Sequence, residues 1–158
     1  MLEALTQDPD KAGEFQWFGW SDLRRWRRDW NENGLVGPDG GTLMVVSGIR
    51  RLGLVRWRRD PLVTAGCSWE LIIMLLPEER GRGYGTQAQR LIARYLFAHT
   101  TAHRIWAATE ADNIAEQKAL EKAGFTREGI VRAAGWRDGA WRDALTYSLL
   151  RTDPAAAW

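Results

Sequence analysis

A chain of 158 residues with 22 Lys and Arg against 20 Asp and Glu has a formal net charge of +2, and 45% of it is hydrophobic, the balance of a soluble globule. That length suits a single domain over 1–158, and no run nears the roughly 20 apolar residues of a membrane span. The opening MLEALTQDPDK has acidic residues and no long apolar core, so it does not read as a signal peptide and the cytoplasm is the expected compartment. Cys67 is alone and His99 and His103 are the only histidines, so neither an internal disulfide nor a metal site is expected.

In chain order, residues 1–6 read as a helix end that runs into the breaker Asp8-Pro9-Asp10. The aromatic stretch EFQWFGW (14–20) is bounded by glycines and reads as a loop folded over a pocket or core. Ser21 is expected to cap a helix through Asn33, with Asp22 in its first turn. Strands are predicted over 42–47 and 52–58, joined near Gly48, and over 68–76, the stretch richest in aliphatic residues. A helix over 84–98 follows, with Ala88, Leu91, Ile92, Tyr95 and Leu96 on one face. Next come a short strand over 104–109 and a helix from Asn113 to Ala123 stopped at Gly124. Two strands, 125–136 and 140–150, are joined at Asp138-Gly139, a tight hairpin signal. The tail TDPAAAW reads as frayed. This order predicts a mixed α/β fold with helices packed on one sheet.

Two arginine-rich clusters, RRWRRDW (24–30) and RWRRD (56–60), interleave basic and aromatic residues as a nucleic acid groove does. In the first, however, Leu23, Trp26 and Trp30 recur at helical spacing, a stripe for burial with the arginines facing water. A nucleic acid partner is therefore not expected.

The most informative stretch is PEERGRGYGTQAQRLIARYLF, in which an oily strand breaks at Pro77 into a glycine-rich turn that opens a helix. Alternating glycines let the backbone take positive φ and lie close to a ligand. The first N–H groups of the helix have no internal partner and carry the positive end of its dipole, so the turn suits a phosphate. Arg80 and Arg82 add charge. A Walker loop would need Lys after its last glycine, and a dinucleotide fingerprint would need glycine where Thr86 stands.

The hexapeptide Arg80-Gly81-Arg82-Gly83-Tyr84-Gly85 resembles the Gln/Arg-x-x-Gly-x-Gly/Ala pyrophosphate loop of the GNAT N-acetyltransferases. A second block, NIAEQKALEKAGFTREGIVRAAGWRDGAWRDALTYSLLR (113–151), resembles the C-terminal half of the RimJ/RimL type. There the pattern is met by Asn113, Ala115, Leu120, Glu121, Lys122, Gly124, Phe125, Glu128, Gly129, Arg132, Asp138, Gly139, Asp143, Tyr147 and Ser148. The resemblance covers 14–151 and implies the GNAT acyl-CoA N-acyltransferase fold, acetyl-CoA as cosubstrate and a primary amine as acceptor. Family members begin with a strand and most of a helix before the point matching Leu2, so the first strand is expected to be missing. The exposed edge left behind would invite a homodimer.

The resemblance also assigns roles. The acetyl-CoA ligands it implies are the backbone of Arg80, Gly81, Arg82, Gly83, Tyr84, Gly85 and Thr86, the Asn113 side chain, and the strand end Met74, Leu75 and Leu76 beside the pantetheine arm. Glu70, flanked by Trp69 and Leu71, has two readings of equal standing: a base desolvated toward neutral pKa, or the partner of an arginine. Glu116 replaces the family serine proposed to protonate the thiolate; a carboxylate ionised at neutral pH would be a poor donor there and could instead accept a proton. Glu110 is a third carboxylate for the proton. Trp17, Phe18, Trp20, Trp136 and Trp141 come from segments that flank the acceptor side in related enzymes and are read equally as an aromatic acceptor wall, as core or as a dimer face. The reading from another class is an acyl-CoA-binding module that has lost catalysis.

Overall fold

The computed structural model describes residues 2–17, 19–60 and 67–156. Two short helices, α1 (Leu2–Gln7) and α2 (Pro9–Ala12), lead to α3 (Leu23–Asn33). Seven strands then form one sheet: β1 (Val36–Gly37), β2 (Gly40–Ser47), β3 (Arg50–Arg59), β4 (Ser68–Leu75), β5 (Arg104–Glu110), β6 (Thr126–Arg137) and β7 (Ala140–Leu150). Helix α4 (Tyr84–His99) links β4 to β5, and α5 (Ile114–Ala123) links β5 to β6. The order across the sheet is β1-β2-β3-β4-β5-β7-β6. Only β4 and β5 run parallel, because α4 supplies the crossover that a parallel pair requires.

The alternation along β4 decides which side of the sheet does what. Trp69, Leu71, Ile73 and Leu75 are buried; Trp69 and Leu71 pack with Ile92, Ala93, Leu96 and Phe97 of α4 and with Leu120 and Ala123 of α5 in the main core. Glu70, Ile72 and Met74 point to the opposite face, which α1, α3 and the 14–21 stretch cover.

Several boundaries differ from the sequence reading. Helix α3 is capped by Asp22 and not by Ser21: the Asp22 carboxylate accepts from the Arg24 amide. The Leu23, Trp26, Trp30 stripe does not bury; no residue of α3 is buried, and Trp30 is exposed. The tail is not frayed through its described part. Pro154–Ala156 forms a short helical turn whose Ala155 and Ala156 pack on the core, with Asp153 accepting from the Leu150 amide. The hairpin at Asp138-Gly139 forms with both residues at positive φ, 51° and 75°, as a two-residue turn of this hand requires.

Among the described residues no strand precedes α1, and β1 covers only the first two residues of β2. Beyond Thr42 the outer edge of β2 has no neighbouring strand among the described residues, and Leu43, Met44 and Val46 are exposed along it. No helix among the described residues is long and apolar enough to cross a membrane.

Candidate active site

Three features meet at the carboxyl end of β4. The first is the turn. After Leu75 the chain makes a single 3-10 turn, Pro77–Glu79, then Gly81 and Gly83 take φ of 72° and 81°, and α4 starts at Tyr84 with Gly83 as its cap. The Arg80 amide is already used, donating to the Pro77 carbonyl. The amides of residues 81–86 are not: none of them meets a protein carbonyl among the described residues. A Cβ built on Gly81 or Gly83 would meet nothing within 4 Å. The glycines are therefore required by backbone hand and not by crowding, and the space in front of their amides is open. This is a nest of free N–H groups at the positive end of a 16-residue helix, a fit for an anion such as a diphosphate.

The second feature is a gap. β4 and β5 pair only at Ser68↔Arg104, Trp69↔Ile105 and Glu70↔Trp106. Beyond Glu70 the strands part. The Cys67 carbonyl accepts from the His103 amide while the Leu76 amide donates to the Leu52 carbonyl, so the odd-numbered backbone groups of β4 face the β5 side and the gap. The carbonyl of Leu75 accepts from Arg80 Nε at 3.0 Å, and that of Ile73 from Gln16 Nε2 at 2.6 Å. The opening runs along Ile73 and Leu75 to the strand end at Leu76.

The third is a cavity of about 210 Å³ on the face that bears Ile72 and Met74. Its floor is Thr42, Leu54, Arg56, Ile72 and Met74 from β2 to β4, and its roof includes Leu5, Gln16, Trp17 and Trp26. The stretch forming the roof is tied across the gap: Glu14 pairs with Arg137 at 2.9 Å, and the Arg137 guanidinium stands 5.0 Å over the Phe15 ring.

A family model described as an acetyltransferase (GNAT) domain matches residues 1–126. The chain belongs to the GNAT acetyltransferase family. A probable N-acetyltransferase, YjcK of Bacillus subtilis (strain 168), is 38% identical over 73 residues, 46% of this chain and 40% of that protein. The uncharacterized N-acetyltransferase YnaD of the same organism is 27% identical over 86 residues, 54% and 51% of the two chains. The chain thus spans about half the length, or less, of these curated relatives. The fold is shared with the spermidine N-acetyltransferase from Vibrio cholerae solved with CoA and spermine, at a TM-score of 0.72, 18% identity and coverage of 85% and 78%. It is shared too with the ribosomal-protein-alanine N-acetyltransferase from Brucella melitensis, at 0.69, 19%, 87% and 83%.

Within this GNAT framework the expected site residues fall in two groups. The turn residues Gly81 to Thr86 and the strand end lie together at the mouth of the gap. Arg80, expected to add charge to the turn, spends its guanidinium inward: it donates to Leu75 O, to Lys11 O at 2.9 Å and to Ala12 O at 2.8 Å, and burial pushes its pKa down. It is a clamp between β4 and α2, and a Cβ on Gly13 would run into it at 2.4 Å. Arg82 stays half-exposed, 3.7 Å from Glu79. We expect Arg80→Ala to destabilise the fold by about 1–3 kcal/mol, since three carbonyls lose charge-assisted donors. Urea unfolding reads this, and a loss under 0.5 kcal/mol, roughly the scale of a neutral surface change, would show the clamp to be idle.

Asn113 caps α5, its Oδ1 accepting from the Glu116 amide at 3.2 Å. Glu70 is only 12% exposed and its carboxylate is engaged by Arg58, its register partner on β3. Of its two sequence readings, the arginine partner is the one present in the structure. Glu110 is held by three hydrogen bonds from Arg137, 2.8–3.0 Å, and that pairing drives the arginine's pKa up.

Glu116 departs from expectation most. Its carboxylate is turned against α4, where it accepts from Gln89 Nε2 at 2.5 Å, and burial raises its pKa to about 7 although other atoms of the residue remain open to solvent. At neutral pH it is therefore only partly ionised, where its type predicts full ionisation. Gln89 is 1% exposed and its Oε1 has no partner among the described residues, so a protonated Glu116 has an acceptor waiting beside it. A polar residue three before Ile92 and four before Ala93, on the buried stripe of α4, was the signal for this pair.

Sequence reasoning also missed Glu79, buried beneath the turn and gripped by Arg50 at 2.5 and 2.6 Å. Of the expected aromatic wall, Trp17 lines the cavity. Trp20 stacks on it edge-on at 5.5 Å but is exposed. Trp136 and Trp141 pair with each other on the exposed β6–β7 hairpin. Phe18 lies outside the described residues. Trp26, read from sequence as core, is the aromatic the cavity gains. Among the described residues no group of three or more His, Cys, Asp or Glu is placed to hold a metal.

Proposed function

We propose that the chain is a cytoplasmic N-acetyltransferase of RimJ/RimL type, organised as a single domain over 1–158, that moves the acetyl group of acetyl-CoA directly to a primary amine. The observation that carries this reading is the set of unspent amides at residues 81–86 opening beside the parted strands β4 and β5. These amides hold the diphosphate, Asn113 Nδ2 and the gap-facing backbone of β4 hold the arm, and an amide of that strand meets the acetyl oxygen as charge develops on it. The amine loses its proton, its nitrogen bonds the carbonyl carbon, and the carbon–sulfur bond breaks with a proton delivered to sulfur. No covalent bond to the protein is needed.

Glu70 shares its face of β4 with Ile72 and Met74, which floor the cavity, and this supports it as the group that receives the ammonium proton. The rival reading, a binding module without catalysis, is favoured by the same residue, because Arg58 already occupies it. We expect Glu70→Gln to lower kcat by about 10²-fold with acetyl-CoA affinity unchanged, the scale of a lost general base. A pH–rate profile identical in both proteins would remove Glu70 from the reaction.

Release of free thiol from acetyl-CoA, measured against a panel of amines and followed by mass for the added acetyl group, tests the function. Transfer to any amine supports the enzyme; saturable acetyl-CoA binding with no transfer to any amine supports the module. The open edge of β2 with Leu43, Met44 and Val46 further supports pairing with a second copy as a homodimer. Light scattering should then show a dimer that Val46→Lys splits, and a monomer at every concentration would oppose it.

A further inference from the structure

The cavity is mostly apolar, yet it carries two polar groups that the protein itself does not satisfy. On its floor, Arg56 is a solvent-exposed residue that makes no ion pair among the described residues. Its guanidinium stacks 5.3 Å over the Trp26 ring, and burial together with the charges of Arg58 and Arg25 pushes its pKa down. Two nearby carboxylates offset this only in part, and each also pairs with another arginine: Glu70 with Arg58, and Asp29 with Arg25 at 3.9 Å. An arginine held over an indole, with two more arginines for neighbours, keeps N–H donors for an anion.

On the roof, Gln16 Nε2 is anchored to the Ile73 carbonyl at 2.6 Å, which orients the amide and leaves Gln16 Oε1 buried with no partner among the described residues. A buried acceptor without a donor is costly. A ligand with an N–H would satisfy it, at a residue of the strand whose end borders the gap. Between the two lie Leu54, Ile72, Met74 and Trp17, surfaces that favour an apolar body.

From these juxtapositions, and resting on the N-acetyltransferase reading above, we propose that the acceptor is an amine with a carboxylate on an apolar or aromatic body. Arg56 binds the carboxylate and Gln16 Oε1 receives an N–H of the amino group. The same arrangement disfavours a polyamine, whose every cationic centre would face Arg56 and the charges around it.

The test uses phenylalanine and 3-amino-3-phenylpropanoate, each against its own carboxamide, with spermidine as the polycation, in steady-state thiol release with acetyl-CoA. A carboxamide's amino group sheds its proton more readily than the acid's. The acid-to-amide ratio of kcat/KM is therefore compared between the wild type and Arg56→Met, so that this intrinsic difference cancels. We expect the ratio to fall by about tenfold or more in Arg56→Met, the scale of one charge-assisted pair, and to be partly kept in Arg56→Lys. Spermidine should be the poorest acceptor for the wild type.

A second arm needs no turnover. By calorimetry on the CoA-bound protein, N-acetylphenylalanine should bind about tenfold tighter than its carboxamide in the wild type, and equally in Arg56→Met. Acetyl-CoA affinity measured on each variant reports whether it folds. A ratio unmoved by Arg56→Met, or a preference for spermidine, overturns this inference while leaving the acetyltransferase intact. Acetyl-CoA binding with no transfer to any amine overturns the acetyltransferase, and this inference with it.

Discussion

Gly83→Val should reduce acetyl-CoA affinity by about 100-fold or more, near 3 kcal/mol, while leaving a folded protein. Two effects add. Gly83 sits at φ 81° as the cap of α4, a backbone hand that a β-branched side chain resists at a cost of roughly 1–3 kcal/mol. The valine methyls would also stand in the open space before the turn, since nothing of the protein lies within 4 Å of that Cβ. The same openness that leaves the core undisturbed puts the side chain where a diphosphate must approach the amides. Calorimetric titration with acetyl-CoA, beside a thermal melt, separates the two contributions. Wild-type affinity in Gly83→Val would mean that the coenzyme is held elsewhere.

Glu116→Gln should lower kcat by roughly 10²-fold, the scale of a lost general acid, with acetyl-CoA affinity kept. With a pKa of about 7, Glu116 carries a proton in about half of the molecules at neutral pH, and we propose that it delivers one to the departing sulfur. The wild-type kcat should then fall as pH rises through 7, and the variant should lose that limb. Stability gives an independent reading. Burial raises the folded-state pKa from 4.5 to about 7, so the folded protein holds this proton more tightly than the unfolded chain. The contribution is fully present below the unfolded value and is lost as pH climbs through the folded one, on the order of 1–3 kcal/mol. Thermal melts at pH 5 and pH 8 should show a larger decline in the wild type than in Glu116→Gln. Equal declines would mean that the carboxylate is ionised throughout.

The sequence revealed what depends on short-range chemistry. The glycine turn, the Asn113 cap, the Gly124 stop and the Asp138-Gly139 hairpin each need particular residues at particular φ, so they are readable from a few letters. The strands were readable because β4 must bury one face on α4 and α5. What was hidden depends on which distant side chains meet. Arg80 looked like a phosphate ligand because it precedes the glycines; only the fold shows Lys11 and Ala12 arriving to take its guanidinium. Glu116 looked ionised because a carboxylate exposed on a helix is; only the packing of α4 on α5 brings Gln89 and burial to it. The stripe on α3 looked like core, but its Trp26 carries Arg56 and roofs a cavity instead. Asp22 displaced Ser21 as the cap for a local reason, since either side chain can accept there and a one-residue choice lies within the ordinary blur of helix ends.

The most direct test of the whole account is the amide spectrum of the 15N-labelled protein titrated with acetyl-CoA. The amides of Gly81, Gly83 and Gly85 should move downfield together as they take up the diphosphate, and they should not respond to pantetheine, which lacks it. Glycine amides that stay in place while the coenzyme binds and shifts other residues would contradict the claim that this turn holds it.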